Sequence, residues 1–145
     1  MDRRELVGNS LTAVAVLFAA SSLPMGAARG VASAAEAAWA KVVESTSKCI
    51  AVGLACQTHC QTELGKGNKE MSECLTTVSD MLVACEALQK LAARGSKHAK
   101  AFAANCAVVC ADCAKACEKH AKHMEICKDC GEACQNCEKA CTAAA

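Results

Sequence analysis

Residues 127–141 read CKDCGEACQNCEKAC, and this stretch decides the fold. Its cysteines recur at steps of three, four, three and four, at Cys127, Cys130, Cys134, Cys137 and Cys141. Residues at this spacing share one face of an α-helix. The residues between them are charged, amide-bearing or small, and are predicted to face outward. A single buried Cys packs as a small hydrophobic residue, but five in register indicate a helix face that presents thiols.

The composition indicates one thiol-rich helical domain. A chain of 145 residues has room for one domain with a core, and this chain carries 14 Cys, two Phe, one Trp and no Tyr. One Pro and long Ala-rich runs favour helices over a loop-rich disulfide scaffold. Helix neighbours at i and i+4 hold their Cβ atoms about 5 to 6 Å apart, wider than the roughly 3.5 to 4.5 Å of a disulfide. Bridges within a helix are therefore disfavoured, whereas bridges between helices stay open.

Charge and motifs argue against several classes of function. The formal net charge is +1, from 16 basic and 15 acidic residues, so we predict no electrostatic binding to nucleic acid or to a membrane. A thiol oxidoreductase places its CxxC pair beside a βαβ unit, and the sequence predicts no such unit. It also contains no Ser/His/Asp or paired-carboxylate arrangement that suggests catalysis. We expect no enzyme activity and assign no catalytic residue.

The N-terminal residues 1–34 resemble an export signal. The pair Arg3-Arg4 is similar to a twin-arginine signal, and the apolar run at residues 11–20 is too short to span a membrane. A small-x-small cleavage site is available at residues 32–34, with residues 27–28 as a weaker competitor. An ordinary disordered tail is the alternative interpretation.

Export by this route would suit a protein rich in thiols. The twin-arginine pathway carries folded proteins, which can shelter thiols from an oxidising compartment. We therefore predict removal of residues 1–34 and a periplasmic domain of residues 35–145 that keeps all 14 cysteines.

The remaining chain predicts four helices and no strand. Apolar and Cys residues at three-four spacing predict helices over about residues 35–64 and 69–93, and a third from near Lys97. The first break, at residues 65–68, offers Asn68 as a helix N-cap. The second, at residues 94–96, should end one helix and cap the next.

The boundary between the third and fourth helices is harder to place. No Gly or Pro separates Cys117 from Cys130, so the sequence alone permits one helix of some 45 residues. Globular helices seldom run so long, and we predict a turn at residues 120–123. The expected fold is all-α, an antiparallel four-helix bundle with a core lined by Cys.

A core lined by thiols predicts a soft monovalent metal. Structural zinc sites close a tetrahedron of four ligands, whereas helical ladders of sulfur suit Cu(I), for which thiolates are selective. Burying so many thiolates is too costly without cations, and one Cu(I) per thiolate leaves the core neutral. A capacity of roughly a dozen ions or more follows, which indicates storage. The candidate ligands are Cys49, Cys56, Cys60, Cys74, Cys85, Cys106, Cys110, Cys113, Cys117, Cys127, Cys130, Cys134, Cys137 and Cys141, with His59 and Met71.

The predicted topology distinguishes the two ends of the bundle. One end, the mouth, should gather His59, Met71, His120, His123 and Met124. The other end should be closed by an apolar plug of Trp39, Val42, Leu88, Leu91 and Phe102. Copper is therefore expected to enter at the mouth, with His59 and Met71 as the favoured ligands. Binding by the other three mouth residues is left open, and His98 is assigned to the surface.

Five segments carry a resemblance to a known family. They read CIAVG at 49–53, CQTHC at 56–60, MSEC at 71–74, VAC at 83–85 and CKDCGEACQNC at 127–137. Over about residues 45–142 the chain resembles the Cys-rich four-helix-bundle copper storage proteins, the Csp family, and is similar to their exported members. The resemblance implies Cu(I) storage in the core, a homotetramer, a periplasmic location and supply of copper to an enzyme or chaperone. His59 and Met71 match family positions at the open end.

Two alternatives compete with copper storage. A zinc or iron–sulfur protein would bind a few tetrahedral ions or a cluster, and metal stoichiometry would identify it. A structural bundle stapled by disulfides would show oxidised cysteines, and counting free thiols would identify it.

Overall fold

A computed structural model describes residues 33–145, which form four α-helices. Helix α1 spans Ala34–Gly65, α2 Met71–Ala93, α3 Ala99–Glu118 and α4 Glu125–Ala144. Helix α1 packs against α2 and α4, and α3 packs against the same two helices. Diagonal helices are thus separated by the core. The predicted all-α, antiparallel four-helix bundle is confirmed. Within the described range, no helix is long and apolar enough to cross a bilayer.

Helix α1 begins with a reciprocal cap. The Ser33 backbone N–H donates to Glu36 Oε2 at 2.7 Å, and the Glu36 backbone N–H donates to Ser33 Oγ at 3.2 Å. This capping box satisfies two donors that a helix start leaves unpaired. It also holds the Glu36 pKa below its ordinary value, through the bonds to Ser33. Apart from Ser33 and Ala34, the predicted export signal lies outside the described residues.

The first two loops differ from expectation in detail. Asn68 is not the N-cap of α2. Glu70 holds that position without a side-chain bond, and the Asn68 carbonyl accepts the Met71 N–H. The chain makes an extra turn before the helix begins, which shortens α2 by two residues. At the next loop Gly95 adopts φ +63°, where a Cβ would be strained. Helix α3 begins at Ala99 and not near Lys97, and its N-cap is His98 and not a residue of the predicted cap at 94–96. The Ser96 hydroxyl accepts the His98 N–H in the turn before the helix.

The chain turns between α3 and α4 without Gly or Pro. The N–H groups of His123 and Met124 both bond to the His120 carbonyl at 3.0 Å, and Met124 is extended at φ −134°, ψ 101°. The predicted turn at residues 120–123 is therefore confirmed. It folds the thiol face of α4 back onto the core, where all its sulfurs are buried.

The closed end is apolar, with one correction. Val42 and Leu88 are fully buried, and Trp39 is partly buried and packs against the core, as expected of a plug. Phe102, however, is 44% exposed, so its predicted place in the plug is wrong. The neighbouring Ala103 occupies the inward position on α3 and is fully buried. A small residue there lets α3 approach the core closely, which turns Phe102 outward.

Candidate metal centre

All fourteen cysteines point into the bundle. Each is at most 1% exposed, and each is a free thiol. The i,i+4 pairs Cys106/Cys110 and Cys137/Cys141 have Sγ–Sγ distances of 3.9 Å, far beyond the roughly 2.05 Å of a disulfide bond. No disulfide staples the described part of the chain. The core is instead a column of thiols available to a metal.

One section of the column, which we call the inner thiols, lies toward the closed end. Cys49, Cys85, Cys110 and Cys137 come one from each helix, and their sulfur atoms lie within 4.8 Å of one another. Cys85 Sγ lies 3.7 Å from Cys106 Sγ and 3.8 Å from Cys110 Sγ. Cys106, Cys137 and Cys141 form a second group at the same end. The inner thiols are Cys49, Cys85, Cys106, Cys110, Cys137 and Cys141.

A second section, which we call the outer thiols, lies toward the mouth. Cys56, Cys74 and Cys127 form one group within 4.8 Å. Cys74 Sγ is 3.8 Å from Cys117 Sγ, and Cys60 contacts both Cys56 and Cys74. The outer thiols are Cys56, Cys60, Cys74, Cys117 and Cys127.

Three sulfurs lie between the inner and the outer section, and we call them the waist thiols. Cys113, Cys130 and Cys134 lie within 4.8 Å of one another. Cys130 also groups with Cys56 and Cys117 on the outer side. On the inner side, Cys134 Sγ lies 3.8 Å from Cys49 Sγ. Outer, waist and inner thiols therefore form one continuous column.

Burial and mutual hydrogen bonding make these thiols unequal acids. Contact with Cys106 and Cys110, together with burial, raises the pKa of Cys85, because a low-dielectric core disfavours the thiolate. Cys137 is the opposite case, since hydrogen bonds from Cys106 and Cys110 stabilise its thiolate and lower its pKa. Bonds from Cys110 and then Cys134 lower the pKa of Cys49 to about 6. The column thus contains a few thiols that lose their protons more readily than their neighbours, and the soft thiolate that results binds a soft cation.

The mouth brings together a nitrogen and a thioether. His59 Nε2, on α1, lies 3.3 Å from Met124 Sδ, just before α4, and both side chains are half-buried. The adjacent Cys60 and the nearby Cys127 are outer thiols. Met71 is fully buried at the start of α2. The mouth therefore places an imidazole and a thioether close to the first of the outer thiols in the sequence.

Three other His residues lie differently from this pair. His120 is half-buried in the turn, whereas His123 and His98 are exposed. Coordination by His59 and Met71 stays a prediction. The sequence placed Met124 and His59 at the same end of the bundle, but their side-chain contact joins residues 65 positions apart and follows from no spacing rule. One feature of the waist is visible in the sequence, because Gly53 occupies the position between Cys49 and Cys56 at which the spacing of α1 would place another Cys.

Residues 35–145 match the family model described as Copper storage protein, Csp. The chain belongs to the Csp family. Family membership assigns the thiol column to copper storage, with several Cu(I) ions as its cargo. Among curated protein sequences, none is significantly similar to this chain.

Solved structures of Csp proteins share the fold. A cytosolic copper storage protein from Streptomyces lividans, in a structure of copper loading with five coppers, is 30% identical with a TM-score of 0.70. The match covers 76% of this chain and 93% of that one. The Streptomyces lividans protein Ccsp loaded with 10 copper equivalents is 30% identical with a TM-score of 0.68, covering 74% and 83%. Cu(I)-bound BsCsp3 is 26% identical with a TM-score of 0.65, covering 72% and 94%.

Proposed function

We propose that this Csp protein stores about one Cu(I) per core thiol, which makes its capacity about fourteen ions. One observation carries the proposal: all fourteen thiols are buried, and thirteen of them, all but Cys60, belong to groups whose sulfurs lie within 4.8 Å of one another. A thiolate can bridge two ions while each ion keeps two sulfurs. Charge balance then sets the number, because each Cu(I) replaces one proton and leaves the buried column neutral.

The arrangement suits holding metal rather than turning over a substrate. The donors lie on four rigid helices and are closed off by Val42 and Leu88 at one end. A catalytic metal site keeps an open position for a substrate, and a column of sulfurs saturated with Cu(I) leaves none. We therefore assign the protein to storage and not to an enzyme class.

We place copper loading at the mouth. His59 and Met124 lie side by side there and are half-buried, so solvent reaches them. Met71 is fully buried, and in the sequence it lies three residues before the outer thiol Cys74. Exposed donors would receive the ion, and the buried thioether and thiols would draw it inward. At the opposite end the fully buried Val42 and Leu88 close the core.

Location and assembly extend the proposal. The Arg3-Arg4 pair and the short apolar run after it support twin-arginine export to the periplasm. The family includes a cytosolic member, so this localisation rests on the N-terminal sequence. Val83 is 71% and Val108 62% exposed, and apolar side chains on outer helix faces support a homotetramer. In that compartment the stored copper would supply a copper enzyme or chaperone.

An anaerobic Cu(I) titration against a colorimetric chelator tests the storage proposal, with free thiols counted in the same sample. A break near fourteen ions, with nearly all thiols free beforehand, is the expected result. A break at one or two ions would contradict storage and identify a chaperone or a zinc-type site. Extensive thiol oxidation would identify a stapled scaffold.

A further inference from the structure

The thiol column is one-sided at its waist. On α3 and α4 the waist carries Cys113, Cys130 and Cys134. On α1 the buried position between Cys49 and Cys56 is Gly53, which has no side chain to offer. On α2 the buried positions between Cys74 and Cys85 are Val78, Met81 and Leu82. Sulfur therefore crosses the waist along α3 and α4, whereas the other two helices supply no thiol there.

Apolar atoms fill the space on the α1–α2 side. A Cβ added to Gly53 would lie 2.6 Å from Met81 Cε and 3.0 Å from Leu82 Cδ2. These side chains therefore press directly against the α1 backbone, and Val78 and Met81 are fully buried. Val78 and Leu82 offer a Cu(I) ion only alkyl groups, and the single thioether of Met81 is neutral, so it does not balance the ion's charge as a thiolate does. Copper should therefore cross the waist along the thiols of α3 and α4.

The waist thiols span the gap by short steps. Cys130 belongs both to the outer group with Cys56 and Cys117 and to the waist group. Cys134 Sγ then approaches the inner Cys49 Sγ at 3.8 Å. The closed end is blocked by Val42 and Leu88. Copper bound for the inner thiols from the mouth must pass the waist.

We propose that Cys113, Cys130 and Cys134 are a relay that carries Cu(I) from the outer to the inner thiols, in addition to storing copper themselves. This inference rests on the proposed loading at the mouth. Each step is ligand exchange without a change of oxidation state. A Cu–S bond forms to the incoming sulfur, whose thiol loses its proton, and one Cu–S bond to the donor breaks. The released thiolate takes up a proton.

The test compares two double variants that each lack two thiols. The relay variant is Cys113→Ala/Cys134→Ala, and the matched control is Cys106→Ala/Cys141→Ala at the closed end. Anaerobic Cu(I) uptake from a chelator complex is followed over time, after circular dichroism has shown equal helix content. Each double variant loses two storage thiols, so both should bind about twelve ions. The control should fill its sites in a single phase, whose rate is the reference. The relay variant should fill half of its thiols at that rate and the other half at least about tenfold more slowly.

A rescue variant separates the relay from a general packing defect. Adding Val78→Cys to the relay variant places a thiol on the α2 side of the waist, and it should restore fast filling of the inner thiols. Equal uptake by the relay variant and its control would overturn the relay. The wild-type capacity is read in the same assay, and a value far below fourteen would contradict the proposed capacity while leaving the rate comparison to judge the relay.

Discussion

Copper loading should release protons, in a number that the core geometry sets. Ten of the fourteen thiols have a pKa raised above the ordinary value of 9.0 by their thiol neighbours and by burial. These thiols are protonated at pH 7, and each must lose its proton to bind Cu(I). Full loading should therefore release about 0.7 to 1 proton per ion.

The sign of the pH dependence follows from the same competition. Lowering the pH favours the protonated thiol, so the apparent affinity should fall about tenfold per pH unit for each ion that displaces one proton. A pH-stat records the protons during anaerobic loading, with the chelator's own proton exchange subtracted. Release of less than about 0.2 proton per ion would refute the reasoning, because it would mean that the apo core is already ionised or that copper binds elsewhere.

Three further predictions concern stability and loading. Because the thiol pKa values are raised in the copper-free fold, the free energy of unfolding should fall as the pH rises above about 9, by about 1.4 kcal/mol per pH unit for each such thiol. Copper-loaded protein should not lose stability in this way, and thermal unfolding of both forms across this pH range is the measurement. Leu88→Ala in the fully buried plug should destabilise the copper-free protein by about 2 to 5 kcal/mol in urea unfolding, more than half-buried Leu91→Ala, with copper capacity unchanged. His59→Ala/Met124→Leu should slow Cu(I) uptake without changing capacity, whereas exposed His98→Ala should do neither.

Each of these has a contrary result. An alkaline loss of stability that copper does not prevent would mean that groups other than the thiols cause it. A copper-free protein without a cooperative transition, or a Leu88→Ala midpoint equal to that of the parent, would show that the metal and not the apolar plug holds the bundle. If the His59→Ala/Met124→Leu variant takes up Cu(I) at the wild-type rate, copper does not load through His59 and Met124.

The sequence determined the helices and the chemistry of their inner faces. The three-four spacing of Cys127–Cys141 places five sulfurs on one side of α4, because side chains at that spacing share a helix face, and all five are buried. The same rhythm marks Cys49, Cys56 and Cys60 on α1. Since thiols on every helix face must meet in the centre of a bundle, the copper-binding core was readable without coordinates.

Tertiary structure alone decided which distant residues meet. The turn before α4 contains no Gly or Pro, so local propensity alone permits either a turn or one long helix. The packing of the helices favours the turn, because the turn returns Cys127 to the core. The 3.3 Å approach of His59 to Met124 depends on how the helix ends align. Likewise, Gly53 looks like a missing thiol until Met81 and Leu82 are seen to fill the space before it. Spacing along one helix fixes a face, but only the packing of four helices fixes which atoms lie opposite that face.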